Sequence, residues 1–408
     1  MDNCIENLLC DFLGENAILS GTSPCFSWSI RSDRPVCRQE AYFIEIFADS
    51  GAKLWNSGWI DSSDTVIHCR DLPLVEMMCG YWRVSVRLDS KTVVKSSPSV
   101  FYTGIPCGSW IGKWIAGDER KSESVPVSEA YNGRSLPYFW KGVVIDKPLS
   151  KAYLYITSLG IYEFYINGVR GHRSYYAPGW TDYSQTIHYQ VYDVTEHFLA
   201  GENTLCVILG DGWYRGYIDF RSEHYGNGPL CLLAQLVLEF ADGTKRIIST
   251  DESWRTSFGA FRYGDLQMGE YYDVLKAPSF CRKQIDSTFG DPAVVIDRPG
   301  LFSLLKPQSA PLPEPVAVLE AKRVHRTNRN SFVFDLGQNI SGVVRLRIKA
   351  KKGSCIKICY GEMLEEGGTV YTKNLRTAAA TDFYIAAGTE AEEYQPHFTT
   401  HGFQYAEV

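Results

Sequence analysis

The sequence contains no run approaching the roughly twenty apolar residues that a membrane-crossing helix needs, and no block of Lys and Arg. Its 41 Lys plus Arg stand against 47 Asp plus Glu, a formal net charge of −6. That is the wrong sign for holding a phosphate backbone by counterion release. Neither nucleic acid nor a membrane is expected as a partner. The opening MDNCIENLLCDFLGENAILS lacks a cationic n-region and its apolar stretch is short, so a cytoplasmic location is expected. Several catalytic signatures are also missing: no GxGxxG after a strand, no GxxxxGK[ST], no GxSxG elbow, no HExxH and no CxxC. Nucleotide, serine-hydrolase and zinc chemistry lose their main support. Twelve cysteines are scattered through the chain, and without a secretory signal free thiols are expected. Cys355 and Cys359 would share a strand face about 13 Å apart, too far for a direct bridge.

Helical periodicity is scarce too. No segment sustains apolar residues at i, i+3, i+4 and i+7, and DVTEHFLAGEN reads as one or two turns at most. What fills the chain is period two, the pattern of a strand with one buried face. In YWRVSVRL the apolar set is Trp82, Val84, Val86 and Leu88, while Tyr81, Arg83, Ser85 and Arg87 point the other way. In VVRLRI, Val344, Leu346 and Ile348 alternate with Arg345 and Arg347. Asn167-Gly168 and Asp242-Gly243 follow strand patterns and predict hairpins with type I′ turns. With 408 residues, 45% of them apolar, the chain can bury several cores, and about 150 residues per domain predicts three units. The blocks are 1–105, 106–305 and 306–408. The last boundary is marked by LKPQSAPLPEPV, whose four prolines cannot donate to a strand ladder. The fold class is all-β, three consecutive β-sandwiches.

The densest segments for chemistry are YYAPGWTDYSQ and LGDGWYRGYIDF. They gather Trp180, Asp182, Tyr183, Asp211, Trp213, Tyr214 and Arg215, with Tyr217 and Asp219 beyond. Aromatic faces stack on the C–H faces of pyranoses, and carboxylates and guanidinium groups satisfy the hydroxyl rim. These seven residues are the candidate ligand-binding set, against the plainer reading that Gly-rich aromatic turns close a sandwich core. Paired carboxylates for glycoside hydrolysis could come from Asp118, Glu119, Asp211, Glu270, Asp273, Asp335 or Glu362, but spacing marks none of them above ordinary surface acids. DLGQNISG offers Asp335, Gln338 and Asn339 between glycines; a turn bonded to its own backbone is one reading. Calcium is the cofactor left open, since these are hard oxygen donors, although EF-hand spacing is absent. His397 and His401 in HFTTHGF would share one strand face, too far apart to chelate one metal, and packing explains them more simply.

Several of these segments together resemble the bacterial α-L-rhamnosidases of glycoside hydrolase family 78. CFSWSIRSD, RQEAYFIEIFADSGAKLWNSGWI and YWRVSVR resemble the family's fibronectin-III-like N-terminal sandwich, and SWIGKWIAG the entry to the next domain. LYITSLGIYEFYINGVR with APGWTDYSQTIHYQVYDVTEHFLAGENTLCVILGDGWYRG resembles its jelly-roll, carbohydrate-binding-like N-terminal domain. FDLGQNISGVVRLRIKAKKGSCIKICYGEMLEEGG and TDFYIAAGTEAEEYQPHFTTHGFQYAEV resemble its concanavalin-like sandwich. The resemblance implies an inverting, two-carboxylate glycosidase acting on terminal α-L-rhamnose. Its acid and base lie on an (α/α)₆ barrel that none of these 408 residues supplies. By that reading the chain is the non-catalytic N-terminal portion, inactive alone, whose partners are a helical catalytic domain and L-rhamnose-containing glycans. No catalytic residue is assigned within it. The rival expectation is a free-standing lectin or adhesin-like protein.

Overall fold

The computed structural model describes residues 3–14, 17–19, 21, 23–34, 37–127, 131–218, 226, 228–277 and 289–408. It is all-β: strands make up nearly all the regular structure, and the one α-helix described, Gly212–Arg215, is a single turn. DVTEHFLAGEN holds only the 3₁₀ turn Thr195–His197. The residues form two compact units, one of 1–111, 186–192 and 299–311, the other of 112–185, 193–298 and 312–408.

In the first unit two sheets close a sandwich. One pairs Cys4–Cys10, Cys25–Arg31 and Val66–His68; the other runs Ala17–Leu19, Ser99–Thr103, Cys79–Leu88, Gln39–Ala48 and Lys53–Asn56 in spatial order. The alternation in YWRVSVRL explains the core. Trp82, Val84, Val86 and Leu88 are wholly buried and Trp82 packs on Phe26 at 4.6 Å, while Arg83 turns outward to Glu45 at 2.8 Å. The unit also holds a parallel pairing of residues 187–189 with Leu305–Pro307, and Tyr189 Oη accepts from the Ile105 N–H at 2.9 Å.

The second unit contains two sets of sheets. In one set, Val294–Val295, Ile115–Ala116, Cys231–Phe240 and Leu149–Leu159 form a sheet, with Lys245–Ser249 paired to Cys231–Phe240. Its companion runs Val169–Arg170, Ile161–Ile166, Gly201–Gly210, Pro137–Ile145, Arg255–Phe258 and Asp291–Pro292. Asn167-Gly168 closes its hairpin with φ of 53° and 80°, as type I′ geometry requires. Asp242-Gly243 does not. There Gly243 alone takes positive φ, 81°, and the loop closes through Gly243 N–H to Phe240 O and Phe240 N–H to Thr244 O, because Asp242 spends its carboxylate on Thr244. That is a longer turn with one left-handed glycine.

The other set is a seven-stranded sheet, in spatial order Phe261–Asp265, Gly269–Asp273, Thr381–Ile385, Cys355–Gly361, His401–Glu407, Phe332–Gly342 and Arg323–Arg326. Its first two strands come from the middle block of the sequence and join the last block through the parallel pairing Tyr271–Phe383. Chain order hides this, because parallel neighbours need a long connection and leave no local turn signal. DLGQNISG lies inside the long strand Phe332–Gly342 as an irregularity between Asp335 and Ile340. His401 opens a strand whereas His397 precedes it in a loop, so the two do not share a strand face. The cysteines described are free thiols.

Candidate functional site

Two turns in the second unit present the aromatic segments. After the strand Gly201–Gly210, Gly212 adopts φ 51°, and a Cβ there would stand 2.5 Å from Ile161 Cγ2. Only glycine lets this turn press against the strand Ile161–Ile166. The turn lifts Trp213 to a half-buried position. On the neighbouring segment Ala177 O accepts from Tyr162 N–H at 2.7 Å, and the chain then delivers Trp180 beside Trp213. The two indoles stack with centroids 6.0 Å apart and planes 1° from parallel. Tyr176 meets Trp213 edge-on at 6.3 Å, and its hydroxyl donates to Thr399 O at 2.9 Å, which fixes the ring. Beside it the Arg170 guanidinium lies 4.3 Å from the Tyr175 ring, whose hydroxyl accepts from Gln395 at 2.8 Å. Trp180 is 55% exposed, so the cluster presents this indole to solvent with the half-buried Trp213 beside it.

The other predicted residues do not join that face. Tyr183 and Tyr214 are buried and pack edge-on at 5.4 Å, which is core closure. Burial raises the Tyr214 hydroxyl. Asp182 caps its own turn: it accepts from Ser184 N–H at 3.0 Å, Ser184 Oγ at 2.6 Å and Gln185 Nε2 at 2.9 Å. The Ser184 hydroxyl and amide hold its carboxyl below the usual range. Asp211 and Arg215 engage each other at 2.6 Å, and Arg215 Nη1 stands 3.2 Å from both oxygens of Glu119. Burial opposes the Arg215 charge, but Asp211 and Glu119 outweigh it and its pKa rises. Tyr217 packs edge-on against Tyr131 at 4.4 Å. Asp219 lies outside the described residues. The sequence singled out these two segments but could not show which adjacent aromatic turns inward.

Each of the seven carboxylates considered for acid or base chemistry has a partner within the fold. Asp118 binds Arg120 at 2.8 Å, Glu119 and Asp211 hold Arg215, and Asp273 caps Leu275 N–H at 3.1 Å. Asp335 accepts from Gly337 N–H at 2.7 Å and Gln404 at 2.9 Å, while Glu362 accepts from Asn339 at 2.7 Å. Glu270 is wholly buried; Oε2 accepts from the His397 and Phe398 amides, each at 2.9 Å, and Oε1 from Tyr394 at 3.1 Å. These oxygens serve the fold.

Sequence reasoning named Glu270, His397 and His401 separately but missed Glu163 and Asp382 and the network that joins them, the most unusual polar feature of the unit. Glu163, with a side chain only 3% exposed, accepts from Arg170 at 2.8 Å and Tyr165 at 2.6 Å and contacts His397 Nδ1 at 2.9 Å. Asp382 accepts from Glu270 N–H at 2.8 Å and from the Tyr360 hydroxyl, with His401 Nε2 at 3.4 Å. Burial alone would raise Glu163, yet His397 and Arg170 hold it at about 2. Burial lifts Glu270 to about 7 against the pull of His397 and the two amides. The available signal was an acid at a core-facing position of the aromatic strand IYEFYI. Among the described residues no group of three His, Cys, Asp or Glu side chains is placed to hold a metal ion.

Three family profiles match the chain in succession. Residues 5–106 match the Rha78A-like N-terminal immunoglobulin domain, 147–314 the alpha-L-rhamnosidase N-terminal domain, and 325–408 the bacterial alpha-L-rhamnosidase concanavalin-like domain. An alpha-L-rhamnosidase of Streptomyces avermitilis is 41% identical over 310 residues, covering 75% of this chain and 29% of that protein. One from Formosa agariphila is 32% identical over 397 residues, covering 94% of this chain and 42% of the other. The solved structure of alpha-L-rhamnosidase from Dictyoglumus thermophilum superposes with a TM-score of 0.86 at 30% identity, covering 99% of this chain and 46% of that one. The chain thus spans less than half the length of each. The sandwich order, the matched segments and these relatives together place the chain in the bacterial α-L-rhamnosidase family, as the portion corresponding to its N-terminal domains.

Proposed function

We propose that the chain is the non-catalytic, supporting portion of an enzyme that removes terminal α-L-rhamnose with inversion, and that its Trp180–Trp213 face contacts the sugar. The observation that carries the first part is the match of three rhamnosidase accessory-domain profiles, with more than half of each relative lying outside the matched region. The occupied carboxylates agree with it, because inversion needs one acid near the leaving oxygen and a second carboxylate activating water. The acid and base belong to a helical domain outside these residues. The sugar-binding part is supported by the stacked, half-open indole pair: rhamnose offers a C6 methyl and axial C–H bonds to such a face.

Two measurements test this. The 408-residue chain should release no p-nitrophenol from p-nitrophenyl α-L-rhamnoside above the uncatalysed rate; robust turnover would refute the first part. Calorimetric titration with L-rhamnose, run with and without calcium, should show millimolar binding that Trp180→Ala weakens at least about tenfold without shifting the melting temperature. No heat at tens of millimolar sugar would refute the second part. Binding by this chain with no hydrolysis by any longer product of the gene would favour the lectin-like alternative.

A further inference from the structure

The outward face of the larger sheet in the first unit is built of rings and cations. Along Gln39–Ala48 the residues that point away from the core are Phe43, Glu45 and Phe47, and their register partners on Cys79–Leu88 are Ser85, Arg83 and Tyr81. Phe47 and Tyr81 stack at 4.9 Å with planes 11° apart, and Arg83 and Lys53 lie over the Phe47 ring at 4.7 and 5.7 Å. These cover it, so Phe47 is only 7% exposed. Four residues along the strand, about 13 Å away, Phe43 packs at 5.7 Å on Trp59, over whose ring Arg87 lies at 5.6 Å. Trp59 stays 47% exposed. Charge on this face does not balance. Glu45 meets Arg83 at 2.8 Å and Lys53 at 2.7 Å, and Lys95 stands 3.8 Å away, so one carboxylate answers three cations. The hydrogen bond from Arg83 outweighs burial and holds Glu45 at about 2, so at neutral pH it already carries all the charge it can offer. Arg87 pairs with the exposed Asp61 at 2.6 Å. Four cations thus meet two acids on a chain whose formal charge is −6. Neither core packing nor solubility calls for a positive patch there.

We propose that this face, centred on Trp59 and Arg87 with Arg83, Lys53 and Lys95, binds an acidic polysaccharide, a chain of pyranose rings bearing carboxylate or sulfate groups. The Trp59 indole takes the C–H face of one ring, and the positive charge that Glu45 and Asp61 leave unmatched takes the anions. Charge complementarity selects an anionic occupant. A sugar chain fits better than an acidic protein segment, because the apolar centre that a protein interface needs is missing: Phe47 is covered by Arg83 and Lys53, and Trp59 is the one open ring of the four. The face lies in the first unit, and Trp180 and Trp213 lie in the second. Either reading can therefore fail without the other.

The test is affinity electrophoresis of the 408-residue chain in gels containing polygalacturonate, dextran sulfate, unmodified dextran or polyglutamate. Polygalacturonate or dextran sulfate should retard the chain, and the stronger of the two identifies carboxylate or sulfate as the preferred anion. Dextran should not. Trp59→Ala and Arg87→Ala should each weaken binding at least about fivefold, and so should raising salt from about 0.05 M to about 0.5 M, since these charges are screened at the surface. Lys349→Ala removes an exposed cation of the second unit and should change nothing. Trp59→Tyr keeps a ring and should retain most of the binding, and melting temperatures of the variants show that each is folded. No retardation by either acidic glycan overturns the proposal, as does equal retardation by dextran. Retardation that Trp59→Ala leaves unchanged also overturns it, the attraction then being charge alone. Stronger retardation by polyglutamate that is lost in Trp59→Ala overturns it in favour of an acidic protein partner.

Discussion

Glu163→Gln should cost about 3 kcal/mol or more of unfolding free energy near pH 6, because it leaves Arg170 and His397 without their buried counter-charge. The wild-type pH profile follows from the same network. Glu163 is held down near 2, so its contribution is complete above the ordinary glutamate range and is lost as pH falls from about 4.5 toward 2. His397 is raised, burial being outweighed by Glu163 and Glu270, so its contribution is complete below about 6.5 and is lost as pH climbs through its higher folded value. Glu270 is lifted to about 7 by burial, which favours the fold below about 4.5 and withdraws that advantage as pH rises to 7. Asp265, raised to about 6 by burial, acts in the same direction. These signs place the stability maximum in mildly acidic solution, with the melting temperature falling between pH 6 and 8. Scanning calorimetry across pH 4–8.5 reads it directly. In Glu163→Gln the part of the alkaline decline that belongs to His397 should shrink. A melting temperature that climbs steadily to pH 8 would contradict the network.

The second large effect is expected at Gly269, in the hairpin that joins the middle block to the last sheet. Its φ is +105°, and a Cβ there would lie 2.1 Å from Thr381 O and 2.6 Å from Thr381 C. Those are backbone atoms of the parallel partner, so no side-chain rotation relieves the clash, and Gly269→Ala should destabilise by about 4 kcal/mol or more. Gly243→Ala provides the comparison. It has a similar positive φ of +81° with nothing within 4 Å, so only backbone strain applies, about 1–2 kcal/mol. Urea denaturation of the two variants separates close approach from dihedral cost. Equal losses would mean that Phe261–Asp273 does not dock as described.

Much of the architecture was legible because strand alternation is a local property: which of Trp82 or Arg83 faces the core is set by the residue next to it. The Asn167-Gly168 turn was legible for the same reason, its positive φ angles being demanded by two adjacent residues. At Asp242-Gly243 the same chemistry misled, since a carboxylate that bonds Thr244 stabilises a different loop from the one the dipeptide favours alone. The candidate site was half legible. Composition drew attention to Trp180 and Trp213, but Tyr183 and Tyr214, equally aromatic and each only one to three residues away, close the core.

The sequence by itself determined the all-β class, the sandwich faces and the absence of any long helical segment, because each depends on side-chain period over a few residues. Only the tertiary structure decided that Phe261–Asp273 completes the last sheet, that the acids Glu163, Glu270 and Asp382 lie in one buried network with His397, and that Val324 ends a core row in the open at the sheet edge. Those outcomes depend on residues more than a hundred positions apart, or on register at a sheet edge. Local periodicity carries no information about either.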